Sequence, residues 1–387
     1  MHPQMIPYQA AIARGGTSKG IFIRTNELPS EPKQRDAVIR AIFGSPDARQ
    51  IDGLGGADML TSKLGIIGPP TRPDADIDYT FAQVDIFREF VDYIGNCGNI
   101  SAMVGPLAVD WGFVPLEYPV TTVRIHQTNT QKIIKASVPV TGGKAAVTGD
   151  FRIDGVPGTG ARIDLDFSDL AGAITGKLLP TGQAADIIHM PGRDFQVSVV
   201  DAGTLDFFIR AEDLGLRGNE SPTEIESNTH IMALLEQIRC EVAYRSGLVK
   251  KPVDATEQNP LTPQVVIIAK SSGYVGLNNV RVEADDIDVA ARLLFMQRVH
   301  KTYAGTGTVC TGVAARISGT ILYDLLSPEA RLKPLLRIGH PGGVISVKSA
   351  VDDINGQLVI RQAEIARTAR LLMEGTAYIK KDVLNVS

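Results

Sequence analysis

At 387 residues the chain is too long for one compact core, and at roughly 150 residues per domain it should fold as two. Its composition is that of an ordinary globular protein, 44% hydrophobic and 21% charged, with 38 glycines that predict many turns. A net charge of −4 gives no reason to expect nucleic acid or a membrane surface as partner, and three scattered cysteines are too few for a disulfide framework or a zinc site.

Read in chain order, the opening Met1-His2-Pro3-Gln4 lacks the basic and apolar regions of a signal peptide, and no run approaches about 18 apolar residues. We therefore expect a cytoplasmic protein. Strand-like runs bounded by Gly, Pro and Asp follow at Gly20–Arg24, Leu64–Ile67, Ile77–Val84, Val120–His126 and Lys132–Val138. They continue at Phe195–Val200, Val265–Lys270, Val280–Glu283, Val344–Val347 and Leu358–Arg361. Apolar spacing predicts helices over Asp36–Phe43, Thr223–Ser246 and Asp286–Val299, the last capped by Asp286. Two further helices, Asn99–Trp111 and Thr308–Ser318, are rich in small residues and apolar on nearly every side, so each should be buried at the centre of a domain. Their glycine-rich openings, Gly95–Asn99 and Gly305–Cys310, rhyme, which implies two similar halves whose helix starts face a shared cleft. A Pro/Gly turn at Leu179–Ala185 sets the boundary, giving domains 1–183 and 184–387, with the last strand a candidate to pack back on the first domain.

A buried helix start offers unpaired N–H groups and a positive dipole end, and two of them would hold carboxylates without a cofactor. The turn Arg14–Gly20 does not have phosphate-loop spacing; Arg14 with the Thr17 and Ser18 hydroxyls could grip one carboxylate instead, or the segment is simply a tight turn. Lys63, between glycine turns and an apolar strand, is placed to act as a desolvated base, although most lysines lie on surfaces. Cys97 stands at a helix start, where the dipole favours thiolate; Cys310 lies one turn inside the second helix. Either thiol could equally be a small packing residue. His340, in a Gly-His-Pro-Gly-Gly turn, could present its ring or backbone to a ligand, and His300 beside Lys301 is similar. No histidine shows metal-ligand spacing, so no metal is expected.

Together the segments RGGTSKG (Arg14–Gly20), GSPD, IDGLGGAD, TSK (Thr61–Lys63), NCGN (Asn96–Asn99), GTGTVC (Gly305–Cys310) and GHPGG (Gly339–Gly343) resemble the PrpF family, in order, from about residue 6 to about 380. That family includes 2-methylaconitate cis-trans isomerase, 4-oxalomesaconate tautomerase and 3-methylitaconate delta-isomerase. The resemblance implies an α+β, diaminopimelate-epimerase-like fold of two similar domains, each a curled β-sheet around a buried central helix. It implies Lys63, Cys97 and Cys310 as catalytic residues, Cys310 matching the second thiol of an epimerase-type pair. It implies substrate contacts from Arg14, Thr17, Ser18, Ser62, Asn96, Gly98, Asn99, Lys301, Gly305, Thr306, Gly307 and His340, with no cofactor. Gly342 stands where many relatives carry serine.

The expected activity is a 1,3-proton shift on a small unsaturated di- or tricarboxylate, with 3-methylitaconate the preferred substrate and 4-oxalomesaconate or 2-methylaconitate the alternatives. Two rival classes stay open: a two-thiol epimerase, and a carboxylate-binding protein without chemistry. A homo-oligomer also stays open.

Overall fold

The computed structural model of the protein describes residues 3–384, apart from the Asn278 side chain. Met1 and His2 of the opening discussed above lie outside the described residues. The chain forms two compact units: residues 1–152, 158–165 and 367–387 make the first, and 153–157 with 166–366 the second. The expected boundary at 183/184 falls inside the second unit.

In the first unit β1 (Met5–Gly15) and β2 (Ser18–Arg24) form an antiparallel hairpin, and β3 (Lys63–Gly68) lies parallel to β2. β4 (Ile77–Val84) pairs antiparallel with β3 and with the short β5 (Val91–Asp92), and parallel with β6 (Val120–Gln127); β7 (Lys132–Thr141) completes the row. The C-terminal strand Ala369–Lys380 closes the other side by pairing with β1. Strands from both ends of this row touch α2 (Gly98–Asp110), so the sheet curls around it. Every residue of α2 from Gly98 to Val109 is buried, as its all-round apolar sequence requires. α1 (Pro32–Phe43) covers the outer face. Glu31 caps it by accepting from the Lys33 and Gln34 N–H groups, and Val38, Ile39, Ile42 and Phe43 pack on Ile21, Ile23, Leu64 and Val84.

The second unit repeats the plan. Its strands include Arg193–Asp201, Leu205–Arg210, Gln264–Lys270, Val289–Phe295, Leu335–His340 and Gly343–Ile354, joined in that order by register. The helix Gly305–Ala314, buried along its whole length, packs against strands from both ends of this series. The molecule thus has the diaminopimelate-epimerase-like arrangement of two similar α+β units.

Two expectations change. The helix expected over Asp286–Val299 is the strand Val289–Phe295, with all seven residues buried. A strand covered on both faces loses its polar alternation, and its apolar positions then imitate helical spacing. The helix expected over Thr223–Ser246 is broken at Asn228, which caps Thr229–Arg245 through the Ile231 N–H. The Arg14–Gly20 segment joins the antiparallel β1 and β2 and is a tight hairpin turn, one of the two readings given for it above.

Among the described residues no helix is long and apolar enough to cross a membrane, and no group of three or more His, Cys, Asp or Glu side chains could hold a metal ion.

Candidate active site

Lys63 opens β3, with Gly20 of β2 beside it on one side and Gln83 of β4 on the other. The residue is only 4% exposed. Its Nζ donates to Gln83 Oε1 at 2.7 Å and lies 5.4 Å from the centre of the Phe81 ring. Burial pushes the amine below the ordinary lysine range; the Cys97 thiol, within hydrogen-bonding reach, and the Asp58 carboxyl act in the opposite direction. Desolvation wins, which favours the neutral amine a base must be.

Cys97 is the N-cap of α2. Its N–H donates to Asn96 Oδ1 at 2.7 Å, and Ser101 Oγ donates to the same oxygen at 3.1 Å and to Cys97 O at 3.0 Å. Asn96 therefore fixes the entry of the chain into the helix. The next N–H groups, of Gly98, Asn99 and Ile100, have no acceptor within the helix because of their position in its first turn.

The β1–β2 turn is packed on this helix start. A methyl group at Gly15 would stand 2.2 Å from Asn99 O, and one at Gly16, whose φ is +50°, would stand 2.2 Å from Asn99 Oδ1. Asn99 Nδ2 donates to Thr17 Oγ1 at 3.2 Å, and Arg367 Nε donates to Asn99 Oδ1 at 3.1 Å. Arg14 does not simply point at a ligand: its Nη1 donates to Gly16 O at 2.9 Å and Thr368 O at 2.8 Å, bracing the turn. Ser62 is likewise engaged, its Oγ donating to Val84 O and accepting from Gln50 Nε2, each at 2.8 Å. Ser18 Oγ is buried with no hydrogen-bond partner among the described residues.

Two members of this centre escaped the sequence reading. Gln83 carried one signal, a polar side chain near the end of the apolar run Ile77–Val84. Arg367 carried none, since nothing local says that a residue so late in the chain returns to α2. Burial lowers its guanidinium to about 10, while Cys97 acts to raise it.

In the second unit Gly305, Thr306 and Gly307 form the buried first turn of the Gly305–Ala314 helix. His340 Nδ1 accepts from the Gly342 N–H at 3.0 Å, and its ring stacks on Tyr303 with centres 6.2 Å apart. His300 Nδ1 accepts from the Thr302 N–H at 3.0 Å, and Lys301 is exposed. A methyl group at Gly342 would stand 2.8 Å from Thr302 Cγ2, so the turn as packed here suits glycine at this position.

Cys310 lies one turn inside the second unit's central helix, as its sequence position implies, rather than at the helix start. The N-cap of this helix, the position that Cys97 holds on α2, is Ala304. Cys310 is fully buried six residues further on, with its Sγ donating to Val200 O at 3.2 Å. Burial, with Asp206 adding to it, pushes its thiol well above the ordinary range, opposite to what a working base needs.

Comparison with known proteins gives the family of the chain. Residues 5–380 match the model of the PrpF protein family. The chain is 51% identical to the 3-methylitaconate isomerase of Eubacterium barkeri over 96% of each chain. It is 38% identical to the 2-methyl-aconitate isomerase of Cupriavidus necator over 98% of this chain and 99% of that one. A crystal structure of methylitaconate-delta-isomerase superposes with a TM-score of 0.81 at 49% identity, covering 99% of this chain and 98% of the other. A family match over residues 5–380 and isomerases of this similarity along its whole length show that the chain belongs to the PrpF family and is an isomerase.

Proposed function

We propose that the protein interconverts 3-methylitaconate and dimethylmaleate by a cofactor-free 1,3-proton shift, with Lys63 as the base. The observation that carries the reading is the buried, desolvated Lys63 amine held beside Cys97 at the start of α2. The choice of substrate is supported by the higher identity to the 3-methylitaconate isomerase than to the 2-methyl-aconitate isomerase.

Neutral Lys63 takes the proton from C3, which is both allylic and next to a carboxylate. The C3–H electron pair forms the C2=C3 bond, and the methylene π pair takes up a proton, from the Lys63 ammonium or the Cys97 thiol, to become a methyl group. In between, negative charge spreads into the carboxylate on C3. The N–H groups of Gly98, Asn99 and Ile100 and the Arg367 guanidinium supply positive potential for it. Preorganised donors of this kind are each worth about 3 kcal/mol, and the base a further 10²–10⁴-fold or so. Asn96, Thr17 and Arg14 hold the helix start and its covering turn in place. The reading puts the enzyme in the cytosol, a reducing compartment, because Cys97 must remain a free thiol and all three cysteines are unpaired.

A two-thiol epimerase is disfavoured by Ala304 at the second helix cap. The test is proton NMR in D₂O with 3-methylitaconate, 4-oxalomesaconate and 2-methylaconitate, using the wild type and Lys63→Ala. Double-bond migration with deuterium uptake on 3-methylitaconate, lost by about 10²-fold or more in Lys63→Ala, is the expected result. Deuterium uptake that survives in Lys63→Ala would remove Lys63 as the base. Turnover of only another acid would correct the substrate.

A further inference from the structure

Gln83 is 1% exposed and lies on β4 directly opposite Lys63. Its amide can face only one way. Nε2 sits 2.9 Å from Ser62 O and 3.2 Å from Met59 O, both pure acceptors, so that end must be the NH₂ group. The carbonyl end is thereby fixed at 2.7 Å from Lys63 Nζ. An amide oxygen has no proton to give, so the contact runs only from the amine to the amide.

We propose that Gln83 is the positioning residue of the isomerase, holding one N–H of neutral Lys63 so that the nitrogen lone pair is aimed at the substrate C–H. The proposal rests on Lys63 being the base. A lysine amine turns freely about its last bonds, and one misdirected by a fraction of an ångström loses rate steeply. With Cε and the Gln83 hydrogen bond fixing two of the four tetrahedral directions at nitrogen, the lone pair is confined to the two that remain. The two backbone carbonyls keep the amide from flipping, and they belong to the Met59–Ser62 segment that leads directly into Lys63. Base and holder are therefore locked in one frame. The ionisable groups facing Lys63 are Cys97 from the start of α2 and Asp58 from the loop before β3, and Cys97 also acts on Arg367. β2 contributes Gly20, with Lys19 next to it in the strand, β4 contributes Gln83 and Phe81, and the buried Asp92 of β5 stands opposite Gln83 in the register.

The test is kcat and KM against pH on 3-methylitaconate for wild type, Gln83→Glu, Gln83→Met and Gln83→Asn. The acid limb of kcat/KM reports protonation of the free-enzyme base. Gln83→Glu sets a carboxylate against Nζ, which favours the ammonium; its acid limb should move up by about 1 unit or more, with activity recovering as the pH is raised. Gln83→Met removes an acceptor that favours the ammonium over the amine, so its limb should move down, with kcat reduced about tenfold or more and KM changed less than about threefold. Gln83→Asn keeps an amide but withdraws its oxygen by one methylene. It should lower kcat at unchanged KM even if the other two do not fold.

Wild-type kcat in folded Gln83→Asn, or reduced activity in the other variants with the acid limb unmoved, would overturn the proposal and leave Gln83 a packing residue. Lys63→Ala in the same assay separates the two readings. If it still turns over, the base assignment has failed. If it is inactive while the Gln83 variants behave as wild type, only the positioning role has.

Discussion

The cysteines separate by position rather than by chemistry. Cys97 caps α2 beside Lys63, whereas Cys310 lies inside the second unit's central helix with its thiol donating to Val200 O. Substituting Cys310→Ala should keep kcat/KM within about threefold and cost roughly 1–2 kcal/mol of stability through the small cavity and the lost hydrogen bond. Steady-state kinetics with urea unfolding would check both, and a loss of activity comparable to that of Lys63→Ala would restore Cys310 to the catalytic set. Lys63 was legible in the sequence through the TSK segment of the family resemblance, since a lysine between glycine turns and an apolar strand is by itself a weak signal. Gln83 was not, because its importance comes from facing Lys63 across β3 and β4, and strand register is a tertiary fact.

At the scale of elements, the β1–β2 hairpin acts as a clamp on α2. Its turn lies so close to Asn99 that neither Gly15 nor Gly16 has space for a side chain. Gly16→Ala combines a positive φ with that overlap, so it should destabilise the protein by about 1–3 kcal/mol and displace Asn99 from Thr17. We expect kcat/KM to fall about tenfold or more, since the N–H donors of α2 move with Asn99. Thermal melting and kinetics on the same preparation would decide; an unchanged melting temperature would show the turn to be pliable. α2 was predictable from an apolar surface on every side. Val289–Phe295 was misread for a related reason, since a strand buried on both faces also lacks polar alternation.

At the scale of the whole molecule, the chain returns to where it began. Residues 367–387 belong to the first unit: Ala369–Lys380 pairs along the whole of β1, and Arg367 holds Asn99. Ending the chain after Ala366 would strip β1 of its outer partner. We expect the shortened protein to show no isomerase activity and to lose part of its cooperative urea transition. Retention of both would show the last strand to be dispensable.

The sequence by itself determined the family, the two-unit α+β plan, the buried central helices, and Lys63 and Cys97 as candidates. The family is written in short motifs that resemble it and the buried helices in local spacing, where glycine turns and apolar runs act over a few residues. Tertiary structure decided that Ala304 rather than Cys310 is the counterpart of Cys97, that Gln83 faces Lys63, and that Arg367 reaches the start of α2. Those facts depend on strand register and on contacts between residues as much as 268 positions apart, such as Arg367 with Asn99. Only the folded sheet brings such residues together, because it buries apolar side chains wherever in the chain they stand.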